Sequence, residues 1–265
     1  MVFEKIMLTR ENGIAQIFLS TPENLNALTG EMVAELIKAF DICEEDPGVR
    51  VIVISGKGKA FCSGGDLKSM GGIIKSGGQD VFAAKFRTDM KRVGDLARRI
   101  RRISLPVIAS VHGPAAGAGC NMALLCDFKI VSDDAVFYEA FVNVGLIPDM
   151  GGVYILSRYL GLSRLNETIM LGKPVMAAEA LSLGLVNSVV SRDNLEGETM
   201  ALALKLAAMP SLSLAKMKRL VNMSLFAGLD AVLEAEEEYQ PLCARSDDFL
   251  EGVAAFLEKR KPAFR

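Results

Sequence analysis

Apolar and polar residues alternate over residues 2–10 and again over residues 14–19, as they do in half-buried strands. The intervening turn contains Asn12-Gly13, a pair that favours a tight β-hairpin. Two later runs, RVIVIS at 50–55 and PVIASV at 106–111, are almost wholly apolar, which is typical of strands buried on both faces of a parallel sheet. Shorter strands are predicted over residues 128–131, 136–138 and 185–190.

Helical spacing of apolar residues follows Thr29, a good capping residue, and predicts a helix to about Glu45. The glycine-rich residues 56–72 are predicted as a loop, and residues 71–80, with two Gly-Gly pairs, as part of a mobile flap. Further helices are predicted over residues 81–103, after the glycine-rich segment 113–119, and near residues 193–208, 211–226, 229–245 and 247–258.

These elements form strand–strand–helix units followed by a helical tail, which predicts an α/β protein with one core. The core is assigned to residues 1–195 and the helical region to residues 196–265. Of 265 residues, 51% are hydrophobic and the net charge is −2, which excludes a mostly disordered chain and argues against nucleic-acid binding.

The location is predicted to be cytoplasmic. The first residues carry charges and lack a long apolar run, and the apolar segment 109–126 contains His112, Pro114 and three glycines. That segment is therefore interpreted as a buried glycine-rich turn leading into a helix, not as a membrane span. The five cysteines form no CxxC pair and are predicted to be reduced thiols, mostly in the core.

Several common chemistries are absent from the sequence. It contains neither GxSxG nor GxxxxGK[ST], so a nucleophile elbow and a P-loop are excluded. A zinc site built on several histidines is impossible, because His112 is the single histidine. We interpret His112 as structural, since buried histidines usually satisfy a hydrogen-bond partner.

Two glycine-rich loops follow the two buried strands: AFCSGGDL over residues 60–67 and GPAAGAGCN over residues 113–121. Small residues let a ligand approach the backbone closely, and the second loop opens a helix, whose free N–H groups favour negative charge. Two such N–H donors aimed at one point would form an oxyanion hole. The alternative is that the glycines only allow tight turns and close packing.

Five segments, in order along the chain, resemble the enoyl-CoA hydratase/isomerase family, the crotonases. They are PENLNAL from residue 22, GKGKAFCSGGDLKSM from residue 56, VHGPAAGAGCNMALLCD from residue 111, NVGLIPDMGG from residue 143 and FLEKRKPAF from residue 256. The resemblance implies a spiral of ββα units, a C-terminal helical trimerisation region and an acyl-CoA thioester substrate.

The resemblance also implies roles for individual residues. It places the oxyanion donors on the N–H groups of Gly65 and Ala118. It implies that the substrate and its coenzyme A contact Ser63, Gly65, Asp66, Leu67, Lys68, Ala118, Phe141 and Lys259. Coenzyme A then enters as part of the substrate, with no metal and no permanently bound cofactor. The expected partners are copies of the same chain, in a homotrimer or a dimer of trimers, with no nucleic acid and no membrane.

The acid or base decides the reaction within this family. Where its hydratases carry two glutamates, this sequence has Asn121 and Phe141, neither of which transfers protons at neutral pH. Glu139 would share a strand face with Phe141, although a salt-bridged or solvated glutamate is the simpler interpretation. Asn121 would orient the substrate or the acid, or would only pack its helix.

Asp149 is the favoured acid/base. It stands in an apolar loop before a predicted helix, where a helix N-cap is the structural alternative. It resembles the catalytic aspartate of the Δ3,Δ2-enoyl-CoA isomerase-like members and of the epoxyphenylacetyl-CoA isomerase branch. We therefore favour an enoyl-CoA isomerase. The alternatives are a hydratase, a ring-isomerising aryl-acetyl-CoA enzyme and, in another class, a non-catalytic acyl-CoA-binding scaffold.

Overall fold

The computed structural model describes residues 3–264. Its strands are β1 (Ile6–Glu11), β2 (Ile14–Leu19), β3 (Val51–Gly56), β4 (Val107–Val111), β5 (Pro114–Ala116), β6 (Phe128–Ser132), β7 (Val136–Tyr138), β8 (Val175–Met176) and β9 (Ser188–Val190). Its helices are α1 (Gly30–Glu45), α2 (Leu67–Arg102), α3 (Ala118–Leu125), α4 (Gly152–Leu156), α5 (Leu162–Met170), α6 (Ala177–Ser182), α7 (Leu195–Ala207), α8 (Ser211–Leu225), α9 (Leu229–Ala244) and α10 (Asp247–Glu258).

The main sheet has the strand order β1-β2-β3-β4-β6-β9. β1 and β2 form the predicted antiparallel hairpin, and Asn12 and Gly13 take the left-handed conformation, with φ of 53° and 78°. The pairs from β2 to β9 are parallel, so the carboxyl ends of β3 and β4 lie side by side at one edge. This edge brings the two glycine-rich loops together.

The sheet is covered on both faces, as its apolar runs predict. On one face, Ile52 and Ile54 of β3 join the large core formed with α1, α2 and α3. On the other face, Val51 and Val53 pack with α7 residues, among them Leu195 and Leu206. Helix α7 begins at Leu195, at the predicted end of the core, and covers this face of the sheet. The helical region is therefore continuous with the core. Its oligomerising role stays a prediction.

Helix α2 corrects the prediction of a loop at residues 67–72, and it includes residues 71–80, whose mobility as a flap stays a prediction. The side chain of Asp66 accepts hydrogen bonds from the N–H groups of Lys68 and Ser69 and so begins the helix at Leu67. Gly71 allows α2 to approach α10, since a Cβ there would lie 2.9 Å from Cδ1 of Leu257. The helix is interrupted at Gly78, with φ of 78° and ψ of 172°.

Other sequence predictions are confirmed with small shifts. Thr29 caps α1 by accepting a hydrogen bond from the N–H of Met32 at 3.2 Å, and the four C-terminal helices form near their predicted places. The short strands β5 and β8 were not predicted, and the predicted strand over 185–190 is reduced to Ser188–Val190. Part of the first predicted strand, at residue 2, lies outside the described residues.

All five cysteines are free thiols, and four of them are buried. Among residues 3–264, no single helix is long and apolar enough to cross a membrane. Arg192–Ala207, which includes α7, and α8 meet that length and composition only together, as a pair bent by 106°.

Candidate active site

The two glycine-rich loops are joined by main-chain hydrogen bonds. The N–H of Cys62 donates to the oxygen of Pro114 at 3.2 Å, and the N–H of Ala116 donates to the oxygen of Cys62 at 2.9 Å. A short parallel bridge between Cys62 and Ala115 results. The loops are therefore one unit, which brings Gly65 and Ala118 to the same cavity.

This cavity has a volume of about 860 Å³. It lies between the loops, α1, α2 and the 3₁₀ turn Ala140–Val144. Eight of the predicted site residues line it: Ser63, Gly65, Asp66, Leu67, Lys68, Ala118, Phe141 and Asp149. Of residues 3–264, those that line the cavity do not include Asn121 or Lys259; Lys259 is exposed at the end of α10.

The two residues predicted to supply N–H donors line this space from different structural settings. Ala118 is the first residue of α3, and the first N–H groups of an α-helix have no partner within the helix. The helix dipole also favours negative charge there. Gly65 lies in the loop between β3 and α2, two residues before α2 begins. Both residues line the cavity, and the binding of a ligand oxygen by their N–H groups stays a prediction.

The other loop residues also have structural roles. The Asp66 carboxylate caps α2, and the Ser63 hydroxyl donates a hydrogen bond to the main-chain oxygen of Asn24 at 3.3 Å. Lys68 is exposed at the cavity rim. Ser63 and Asp66 are half-buried, so none of these three side chains is buried in the apolar interior.

The inner wall of the cavity is apolar. Val33 of α1 and Phe82, Phe86, Met90 and Val93 of α2 are all buried and line it. The rings of Phe82 and Phe86 lie 5.1 Å apart, a stacked arrangement that fixes this wall. Such a surface fits a hydrocarbon group better than a polar one.

Asp149 is the buried carboxyl group on this cavity, with 6% of its surface exposed. Burial raises its pKa to about 7, because the charged form loses its water. Its Oδ1 atom has no hydrogen-bond partner among the residues that the structure describes. The N-cap position of α4 is Gly151, without a side-chain cap, so the alternative role of Asp149 as helix cap is wrong.

Asn121 lies behind the cavity wall, fully buried in α3. Its Nδ2 donates to the main-chain oxygen of Asp149 at 3.0 Å and to Oε2 of Glu139 at 3.4 Å. A Cβ on Gly152 would lie 2.4 Å from that Nδ2, so Gly152 makes room for the amide. Asn121 therefore contacts the main chain of Asp149, and its role in orienting the acid stays a prediction.

Glu139 differs from both expectations. The strand β7 ends at Tyr138 and the chain turns into the 3₁₀ helix, so Glu139 and Phe141 do not share a strand face. Phe141 lines the cavity and Glu139 does not. Glu139 is 1% exposed, and burial raises its pKa to about 8. The interpretation of Glu139 as salt-bridged or solvated is therefore wrong.

His112 makes a structural contact, as expected: its Nε2 lies 3.2 Å from the main-chain oxygen of Gly58. Burial lowers its pKa.

Sequence reasoning missed Glu236 and Gln240, two buried residues of α9 that contact the loop of Asp149. Burial raises the pKa of Glu236 to about 8. A signal for both exists, because the buried residues of this helix, 229, 233, 236, 240, 241 and 244, form a stripe along it. Polar residues in such a stripe mark a specific contact.

Comparison with known proteins agrees with this geometry. A family model described as enoyl-CoA hydratase/isomerase matches residues 9–265. A trans-2-decenoyl-[acyl-carrier-protein] isomerase of Streptococcus mutans is 36% identical, covering 100% of this chain and 99% of its own. A 1,2-epoxyphenylacetyl-CoA isomerase of Escherichia coli is 35% identical, covering 99% of both chains.

Solved structures show the same fold. The crystal structure of an enoyl-CoA hydratase from Mycobacterium avium subsp. paratuberculosis superposes with a TM-score of 0.89 at 31% identity, covering 100% of both chains. The spiral α/β architecture with a helical C-terminal region is thus confirmed.

Proposed function

The chain belongs to the enoyl-CoA hydratase/isomerase family, and on that basis we propose that it is an enoyl-CoA isomerase that shifts a double bond along an acyl thioester. The observation that carries the proposal is Asp149, the buried carboxyl group among the described residues that line the cavity. The two positions where hydratases of this family carry glutamate hold Asn121, behind the wall, and Phe141.

In the proposed reaction, the carbonyl oxygen of a 3-enoyl thioester accepts hydrogen bonds from the N–H groups of Gly65 and Ala118. These donors stabilise the negative charge that develops on that oxygen when a proton leaves C2. Each donor of this kind contributes roughly 10²–10³-fold in rate.

Asp149 performs both proton transfers. Its carboxylate takes the proton from C2, and the resulting carboxylic acid returns it to C4, so the double bond moves from C3–C4 to C2–C3. A pKa of about 7 suits this role, since both the acid and the base form are accessible near neutral pH. Hydration would instead require groups that activate a water molecule for attack and donate a proton to the substrate.

The substrate is proposed to be a thioester of an apolar acyl group. The acyl chain lies against Phe82, Phe86 and Met90, while the pantetheine and nucleotide of coenzyme A follow Ser63–Lys68 toward the rim. No permanently bound cofactor or metal is needed for this chemistry. Lys259 does not line this cavity, so any contact it makes with the nucleotide of coenzyme A is expected to lie outside the cavity.

Exposed apolar residues support the proposed trimer. On α8, Leu212, Leu220 and Met223 are 72%, 64% and 65% exposed. Contiguous apolar surface of this kind is typical of an interface between subunits.

Product analysis tests the reaction. A 3-enoyl-CoA and the matching 2-enoyl-CoA are each incubated with the enzyme and followed by ¹H NMR. An isomerase interconverts the two with little 3-hydroxyacyl product. Rapid formation of 3-hydroxyacyl-CoA would establish a hydratase instead, and binding without turnover of any acyl-CoA would favour the scaffold.

A further inference from the structure

Helix α9 places two buried polar side chains against the loop that carries Asp149. Glu236 is 7% exposed and Gln240 is fully buried. They are four residues apart, so they lie on one face of the helix. That face is otherwise apolar, formed by residues such as Leu229 and Leu233.

The two side chains hold the loop on both sides of Asp149. Nε2 of Gln240 donates to the main-chain oxygen of Ile147 at 2.7 Å, and the N–H of Ile147 donates to Oε1 of Gln240 at 3.2 Å. The N–H of Gly151 donates to both carboxyl oxygens of Glu236, at 3.0 Å each. The bonded residues lie two positions before and two positions after Asp149.

A buried carboxyl group at position 236 costs stability that an apolar residue there would not cost. The nearby charged groups do not remove that cost: Asp149 and Glu139 are acidic, and Arg98 forms its ion pairs with Asp95, Asp230 and Glu237. The hydrogen-bond donor that Glu236 serves is the N–H of Gly151.

The loop itself requires support. Met150 has a φ of 51°, a left-handed conformation that is unfavourable for a side chain of this type. Such a conformation persists only where the surrounding structure holds it. Glu236, Gln240 and the amide of Asn121 supply contacts at Gly151, Ile147 and Asp149.

We propose that Glu236 and Gln240 are positioning residues, which clamp residues 147–151 so that the carboxyl group of Asp149 faces the reacting carbons. Neither is among the described residues that line the cavity, so neither touches the substrate. The proposal rests on the proposed function. It makes the C-terminal helical region part of the active site of its own chain.

The test compares Glu236→Leu and Gln240→Leu, which remove the contacts, with Glu236→Gln, which keeps an acceptor oxygen. The control is Glu238→Leu, since Glu238 is exposed on the same helix. The kcat and KM for a 3-enoyl-CoA are measured, together with hydrogen–deuterium exchange of the peptide spanning residues 147–152.

Each leucine substitution at the clamp is expected to lower kcat by about 10-fold to 100-fold, because misplacement of a catalytic group by about 1 Å has effects of this size. KM should change by less than about threefold, since the binding walls are untouched. Exchange in the peptide should become faster. Glu236→Gln should retain roughly a third or more of kcat, and Glu238→Leu should match the wild type.

The proposal is overturned if folded Glu236→Leu and Gln240→Leu proteins keep the wild-type kcat, or if Glu236→Gln loses as much as Glu236→Leu. If one leucine variant does not fold, the other decides. If the wild-type enzyme is inactive on every 3-enoyl thioester, the proposed function is wrong. The exchange data then test the positioning role alone, and exchange in the leucine variants equal to that of the wild type overturns it.

Discussion

The side-chain amide of Asn121 donates a 3.0 Å hydrogen bond to the main-chain oxygen of Asp149. Asn121 stands one turn after Ala118 on α3, so one short helix both presents a proposed oxyanion donor and fixes the loop of the proposed acid. The relative position of these two groups is therefore set within a rigid element. A double-bond shift requires the N–H donor and the acid/base in fixed positions, because negative charge develops on the thioester oxygen as the proton leaves C2.

The rate should depend on the ionisation of Asp149. The carboxylate is the form that removes the proton, and its pKa is raised to about 7. We expect kcat/KM for a 3-enoyl-CoA to rise about tenfold per pH unit below a midpoint near 7, and to level above it. A pH–rate profile checks this. A profile that is flat from about pH 5 to 8 would contradict an acid/base role for a group with this pKa.

Stability should fall as the pH rises. Asp149, Glu139 and Glu236 have pKa values of about 7, 8 and 8 in the folded protein. In the unfolded chain these values are about 4. The folded state therefore binds more protons between about pH 4 and 8, so the stability that this provides falls as the pH rises from about 4 and is fully lost above the folded pKa values of about 7 to 8.

Thermal unfolding measures this dependence. The Tm of the wild type should decrease by several degrees between about pH 6 and 9, and less steeply in Glu139→Gln, which removes one titrating group. A Tm that increases over this range would show that these carboxyl groups are not buried in their acid form.

The N–H group of Ala118 can be removed with little damage to the fold. Proline is tolerated at the first position of a helix, and Ala118 occupies that position in α3. Ala118→Pro should lower kcat by roughly 10²–10³-fold, while Ala118→Ser, which keeps the N–H, should remain near the wild type. A folded proline variant with full activity would exclude this donor from the oxyanion hole.

The apolar face of α8 is expected to bind neighbouring subunits. Leu220→Asp places a charge where the side chain is 64% exposed in a single chain. Light scattering after gel filtration should show a trimer or hexamer for the wild type and a smaller species for the variant. Ser76→Asp, an exposed change on α2, is the control. A monomeric wild type would refute the proposed assembly.

The local signals in the sequence were sufficient for much of the fold and part of the site. Asn12-Gly13 predicted the hairpin, and the sequence placed Asp149 in an apolar loop, where the structure buries it. The helix at Leu67 was missed because glycine lowers helix propensity, whereas the Asp66 cap and packing of Gly71 against α10 outweigh it. Tertiary contacts therefore determine that the segment from Leu67 is helical.

The environment of Asp149 depends on distant residues, which no local pattern reveals. The contacts of Gln240 and Glu236 with Ile147 and Gly151 join residues 93 and 85 positions apart. Likewise, Glu139 leaves the cavity because the chain turns after Tyr138, which alternation alone does not predict.

The most direct test of the central claim is the conversion of a 3-enoyl-CoA to its 2-enoyl isomer, followed by ¹H NMR in D₂O with wild type, Asp149→Asn and Glu139→Gln. The wild type and Glu139→Gln should form the 2-enoyl thioester at rates within about threefold of each other, whereas Asp149→Asn should lose activity by at least about 10³-fold. Conversion by folded Asp149→Asn at the wild-type rate would contradict the assignment of Asp149 as the acid/base.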